Sequence, residues 1–189
     1  MSFMLLGILN SQAAGGGGAG AYDLLESTTL STSAASVTFS GLDAYSDYKH
    51  LQIRAVVRTD RTSVQDGVTF IFNGDNAANY SYHRLYGDGS SVGSSAGVSA
   101  SFMYAFVTTD NGATADNFGA MVMDILDPFD TSKFTTARTL GGIQEGTNSW
   151  INLASGNWRN TDALTSITLD QTTGPNFIAG TRFSLIGIK

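Results

Sequence analysis

The sequence predicts an all-β protein: a jelly-roll-like antiparallel β-sandwich of about ten strands with an extended N-terminal arm. Three observations point there. Apolar residues alternate with polar ones, as at Leu51, Ile53, Ala55 and Val57 and again at Val68, Phe70 and Phe72. A period of two puts each set on one face of a sheet. Strong turn formers separate such runs, among them Asn73-Gly74, Asp88-Gly89, Asn111-Gly112 and Gly174-Pro175. No stretch shows a sustained helical period, and the marginal candidate, Asp124–Lys133, is broken by Pro128.

Residues 1–21 are expected to form the arm. Its start, Met1-Ser-Phe-Met-Leu-Leu-Gly-Ile-Leu9, is apolar. It is far short of the roughly 18 residues that span a bilayer, so no membrane partner is expected. It also lacks the basic region of a secretory signal, since the first Lys or Arg is Lys49. The following Asn10–Ala21 is mostly Gly and Ala, the composition of a flexible tether. Phe3, Leu5, Leu6, Ile8 and Leu9 therefore read as an apolar plug, an assembly anchor on a tether. A frayed terminus is the alternative, but it gives no reason for those side chains.

Residues 22–189 are expected to form the sandwich. Strands are predicted at Tyr22–Leu30, Ser36–Phe39, Leu51–Arg58, Val68–Asn73, Ser101–Thr108, Phe118–Leu126, Lys133–Gln144, Trp150–Trp158, Leu164–Leu169 and Arg182–Ile188. The Gly-, Ser-, Ala- and Val-rich segment Gly87–Ala100 reads as a long loop. The inner faces are expected to carry Phe70, Phe72, Phe102, Tyr104, Phe106, Met121, Met123, Ile167, Leu169, Phe183 and Leu185.

Composition removes several function classes. The net charge is −6, with 10 Lys and Arg against 16 Asp and Glu. A chain with no basic surplus is a poor partner for nucleic acid. There is no Cys and there are two His, which leaves no basis for a thiol catalyst or a His-built metal cage. Gly15, Gly17 and Gly20 satisfy a loose dinucleotide-binding pattern, but neither a preceding strand nor a following helix is predicted. No catalytic residues, metal site or cofactor are expected. His50 and His83 are each expected to make one hydrogen bond near a sheet edge. Asp124, inside the apolar run Met121–Leu126, is expected to face solvent or to pair with an Arg. The oxygen-rich segments Asp110–Asn117 and Asn73–Asn76 suit Asx turns, with calcium binding as the less ordinary reading.

The remaining signal is aromatic. Tyr82 and Tyr86, with Tyr80, share a face if the chain is extended, and Trp150 and Trp158 share another. With His83, Arg84 and Arg159 beside them, they are candidate contacts for a subunit interface or a glycan, and core packing is the plainer alternative.

Several segments carry a resemblance: Tyr48-Lys-His-Leu-Gln-Ile-Arg54, Asn79-Tyr-Ser-Tyr-His-Arg-Leu-Tyr-Gly87, Ser155-Gly-Asn-Trp-Arg-Asn160, the closing Phe183-Ser-Leu-Ile-Gly-Ile188 and the opening Leu5-Leu-Gly-Ile-Leu-Asn-Ser11. Over most of its length the chain resembles small β-rich structural proteins of tailed bacteriophages, many from aquatic and cyanobacterial hosts. The resemblance implies a non-enzymatic virion component, either a capsid decoration protein or a tail or fibre appendage. Its implied partners are other phage structural proteins, capsid or tail. A homotrimer is expected, because such subunits match three-fold or higher axes. The alternative is a tail fibre module that binds a receptor or a host-surface glycan. The resemblance supplies no catalytic residues.

Overall fold

The structure, a computed structural model, describes residues 20–189; the predicted anchor residues Phe3, Leu5, Leu6, Ile8 and Leu9 lie outside the described residues. Twelve strands make two antiparallel sheets. In chain order they are β1 (Tyr22–Thr29), β2 (Ser36–Ser40), β3 (His50–Val57), β4 (Gln65–Phe72), β5 (Tyr80–Gly87) and β6 (Val92–Ala100). They continue as β7 (Met103–Thr109), β8 (Gly119–Leu126), β9 (Thr135–Ile143), β10 (Trp150–Trp158), β11 (Ser166–Gln171) and β12 (Arg182–Ile188). The large sheet has eight strands in the order β1-β12-β3-β8-β9-β10-β5-β6. The small sheet has four, β2-β11-β4-β7. Successive strands cross repeatedly between the sheets, which gives the sandwich its jelly-roll-like course.

The alternating residues that predicted strands also build the core. Leu51, Ile53 and Val57 of β3, Val68, Phe70 and Phe72 of β4, and Phe183 and Leu185 of β12 are all buried between the sheets. Met121, Met123 and Ile125 of β8 and Ile167 and Leu169 of β11 belong to the same buried cluster. Each such side chain contributes roughly 1.5–3 kcal/mol when fully buried.

Two expectations are corrected. The segment Gly87–Ala100 is not a long loop. Its second part is β6, which pairs along its length with β5, and this hairpin accounts for the two strands beyond the ten predicted. Small residues have poor strand propensity, but here they are required by their neighbours. Tyr82 lies opposite Gly97 and Tyr86 opposite Gly93. A Cβ on Gly97 would stand 2.5 Å from the Tyr82 ring, and one on Gly93 would stand 2.6 Å from the Tyr86 ring. The rings lie across the glycines and cover the strand.

The second correction concerns β7. Phe102 and Tyr104 are only half-buried, not inner-face residues. Val68 pairs with Phe106 but Thr69 pairs with Tyr104, so Ala105 is a bulge residue. The bulge keeps Phe106 in the core and turns Tyr104 away from it.

Trp158 is 1% exposed, a core residue and not a surface contact. Its indole packs edge-on against Phe72 at 5.9 Å between ring centroids. Its Nε1–H donates to Asp75 Oδ2 at 2.7 Å. The buried Tyr80 hydroxyl joins this corner by donating to the Asp75 carbonyl at 2.8 Å and accepting from the Phe72 N–H at 2.9 Å. Burial, with the nearby Asp75 charge, pushes the Tyr80 phenol up to about 12 against the opposing hydrogen bond from the Phe72 backbone. Trp158→Phe keeps most of the ring and deletes one donor to a charged acceptor. It should cost about 1.5–3 kcal/mol of stability. Trp158→Ala also opens a cavity and should cost about 3–5 kcal/mol. Urea unfolding of the two variants checks both values.

Candidate functional site

The predicted contact residues divide between two sides of the large sheet. Tyr82, Arg84 and Tyr86 point to its inner side, where β5 and β6 overhang the edge of the small sheet. Tyr86 stacks on Trp150 at 5.2 Å and 28°. The Arg84 guanidinium lies 4.0 Å from the Tyr104 ring centroid and 5.3 Å from that of Tyr86. Its Nε–H donates to Ser95 Oγ at 3.1 Å. Tyr82 stacks beside Phe102 at 6.3 Å. Burial raises the Tyr104 phenol, and the Arg84 charge opposes that shift. These groups satisfy one another: the row stiffens the overhang, and Arg84 is held between rings instead of reaching outward.

The other candidates are scattered. His83 points to the outer face and is exposed. Arg159 follows β10 and donates to the Ala78 carbonyl at 2.7 Å and to Ser99 Oγ at 3.2 Å. It ties the loop before β5 to the end of β6. His50 Nδ1 accepts from the Asp127 N–H at 3.0 Å. Asp124 is paired on the outer face, accepting from Gln52 Nε2 at 2.8 Å and from Arg138 Nε at 3.1 Å. Asp75 in the segment Asn73–Asn76 is engaged by Trp158, Asn79 and the Ala77 N–H. Burial works to raise its carboxyl, and these hydrogen bonds outweigh it and hold the group low. Among the described residues no group of three or more His, Asp or Glu is placed to hold a metal ion.

The segment Gly93-Ser-Ser-Ala-Gly97 spells the G-x-S-x-G pattern of a nucleophile elbow. That pattern needs a sharp strand-to-helix turn and an oriented base. Ser95 instead lies in the middle of β6, opposite Arg84.

The feature that sequence reasoning missed is on the outer face of the large sheet. Val122 of β8, Leu140 of β9, Leu153 of β10 and Leu85 of β5 stand directly opposite one another across four strands. In the adjoining row Ile151 lies opposite Gly87, which lies opposite Val92. Leu85, Leu140, Ile151 and Leu153 are each more than half exposed, and Val92 is 92% exposed. Together they line a shallow groove of about 650 Å³. On one side the strip is bordered by a polar row containing Asp124, Arg138 and His83. An ordinary solvated sheet face is polar, and a contiguous apolar patch marks an interaction surface. The signal was available in Trp150-Ile-Asn-Leu-Ala154, where apolar residues occupy both parities of one strand. Replacing Leu140 and Leu153 together by Lys should leave the unfolding midpoint nearly unchanged, within about 0.5 kcal/mol per surface substitution. The same variant should bind an apolar fluorescent dye markedly less, which a dye titration reads.

A polar cluster sits at one end of the sandwich. Arg58 is 5% exposed and donates to the carbonyls of Thr114 at 2.6 Å, Asn117 at 3.0 Å and Ala113 at 2.9 Å. Asp110 is fully buried, and its Oδ2 has no hydrogen-bond partner. Burial raises its carboxyl, the Gly112 N–H opposes the rise, and the nearby Asp66 charge adds to it. The folded chain therefore holds this proton more tightly than the unfolded chain does. The contribution is greatest below the ordinary value of 3.8 and is lost as pH rises through the raised value. Asp110→Asn cannot titrate there. The wild type should lose stability relative to this variant as pH rises above 3.8, as read by urea midpoints across a pH series.

No family model matches the chain, and no curated protein or solved structure matches it either.

Proposed function

We propose that the protein is a non-enzymatic structural subunit of a phage particle, a surface decoration or appendage that docks on other virion proteins. One observation carries the reading: the uncharged apolar strip Val122–Leu140–Leu153–Leu85 on the open face of the large sheet. Its side chains are held in register by continuous strand pairing, so the surface is rigid before any partner arrives, and little ordering cost is added on docking. The resemblance to small virion proteins names the class of partner. The apolar residues Phe3, Leu5, Leu6, Ile8 and Leu9 on their Gly-rich tether supply a second attachment in this reading, an anchor that reaches beyond the sandwich.

The alternative reading, a tail fibre module binding a host glycan, draws on the half-buried Tyr86 and Trp150 pair. The two readings separate by variant. Deleting residues 1–20, or replacing Leu140 and Leu153 by Lys, should abolish or sharply reduce incorporation into particles while the sandwich keeps its cooperative unfolding transition. Tyr86→Ala should leave incorporation intact. If Tyr86→Ala instead lowers host adsorption with incorporation unchanged, and the Leu140 and Leu153 variant incorporates normally, the glycan reading replaces the structural one.

A further inference from the structure

Among the described residues strand β6 has no neighbour on its outer edge, beside the apolar strip of the large sheet, and its sequence has an internal symmetry. Val92-Gly-Ser-Ser-Ala-Gly-Val98 reads nearly the same in both directions about Ser95. Val92 mirrors Val98, Gly93 mirrors Gly97, and Ser94 mirrors the similarly small Ala96. An antiparallel strand paired with its own copy across a two-fold axis meets its sequence in reverse. We propose, in place of the homotrimer expected from the sequence, that β6 pairs with β6 of a second copy of this chain, centred on Ser95, to make a two-fold dimer with one continuous sheet.

Three observations support this occupant. It carries no charged residue and no proline. The chain carries a net charge of −6, so two copies have like net charge, and this strand adds none to the contact. The regular stretch is bounded on both sides. The Asp88–Ser91 turn closes one end, with the Asp88 carboxylate accepting from the Ser90 N–H at 2.9 Å and the Ser91 N–H at 2.6 Å. At the other end Ser99, at φ 56°, is the extra residue of a bulge, since Ser81 pairs with Val98 and Tyr80 with Ala100. Arg159 holds that bulge through Ser99 Oγ. The ladder-competent edge is thus Val92–Val98, the symmetric segment itself.

The other edges differ. β1 carries Asp23, Glu26 and a register shift between Leu24 and Glu26, β2 is only five residues long, and β7 carries the Ala105 bulge. Natural edge strands are guarded by such features, and Val92–Val98 has none of them.

Both faces of the new seam are complementary. On the outer side Val92, 92% exposed, meets the partner's Val98, 78% exposed in the single chain, beside the apolar groove. On the inner side the Tyr86 ring, which covers Gly93, falls beside the partner's Tyr82, which covers the partner's Gly97. Stable pairs bury roughly 1,200–2,000 Å², and these two rows widen the contact beyond the ladder. The inference does not depend on what the outer strip docks against.

The test is native mass by sedimentation over a concentration series of the full chain. The wild type should be a dimer. Val92→Lys with Val98→Lys places like charges opposite each other twice across the axis and should weaken dimerisation at least tenfold, with a single cooperative thermal transition retained. Val92→Lys with Val98→Glu places opposite charges at the same two contacts and should restore the dimer. Because the chain has no Cys, Ser95→Cys should give a covalent dimer on oxidation, the two thiols meeting on the axis. A monomeric or trimeric wild type, or a double-lysine variant with wild-type mass, overturns the proposal. So does a lysine–glutamate variant as weak as the double-lysine one, since the register would then not be centred on Ser95.

Discussion

Eight strands face four, and that mismatch governs the molecule. A small sheet of four strands can cover only part of a large one. The remaining strands must find another way to protect an inner face. In this chain the overhang is closed by its own side chains. Tyr82 and Tyr86 lie flat over Gly97 and Gly93, Arg84 fills the space between Tyr86 and Tyr104, and Trp150 extends the stack. Without those glycines the rings have nowhere to lie. Without the rings, β6 is a strand of small residues held only by its ladder with β5.

The same mismatch explains the bulge in β7. The strand lies at the edge of the small sheet, where the large sheet curls past it. Inserting Ala105 lets Phe106 stay in the core while Tyr104 reaches the overhang. Core and overhang are therefore built from one strand through a local change of face, and the two cannot be redesigned separately. Just before β5, Asp75 links Trp158, Tyr80 and Asn79. That corner fixes where β5 begins and so sets the register of the overhang.

Much of the fold was legible in the sequence, because half-buried strands write their period directly into it. Leu51 to Val57 and Val68 to Phe72 are examples, and Asn73-Gly74 marks the turn that follows. The β5–β6 hairpin was not legible in the same way. Its small residues read as a loop, because their meaning lies in the tyrosines across the ladder, a pairing that local propensity does not encode. Tyr82 and Tyr86 share a face as their spacing predicts, and Arg84 and Trp150 stand on the same side of the sheet, but His83 alternates to the other face and Trp158 continues into the core. Alternation predicted a shared face for the tryptophans and left open which end of it is covered. The outer strip was hidden for a different reason. An apolar residue at a surface position looks like a core residue until the opposite face of its strand is known to be filled.

The guards on β1 have a consequence for how far association can spread. A sheet with two open and compatible edges can add copies head to tail without limit, and such growth ends in fibres. Here the edge opposite β6 offers acidic side chains and a broken ladder. A second molecule that approaches it finds neither a matching surface nor regular backbone donors and acceptors. In the proposed dimer, then, one edge of each chain adds a strand and the other refuses one, a polarity that closes the assembly at two copies.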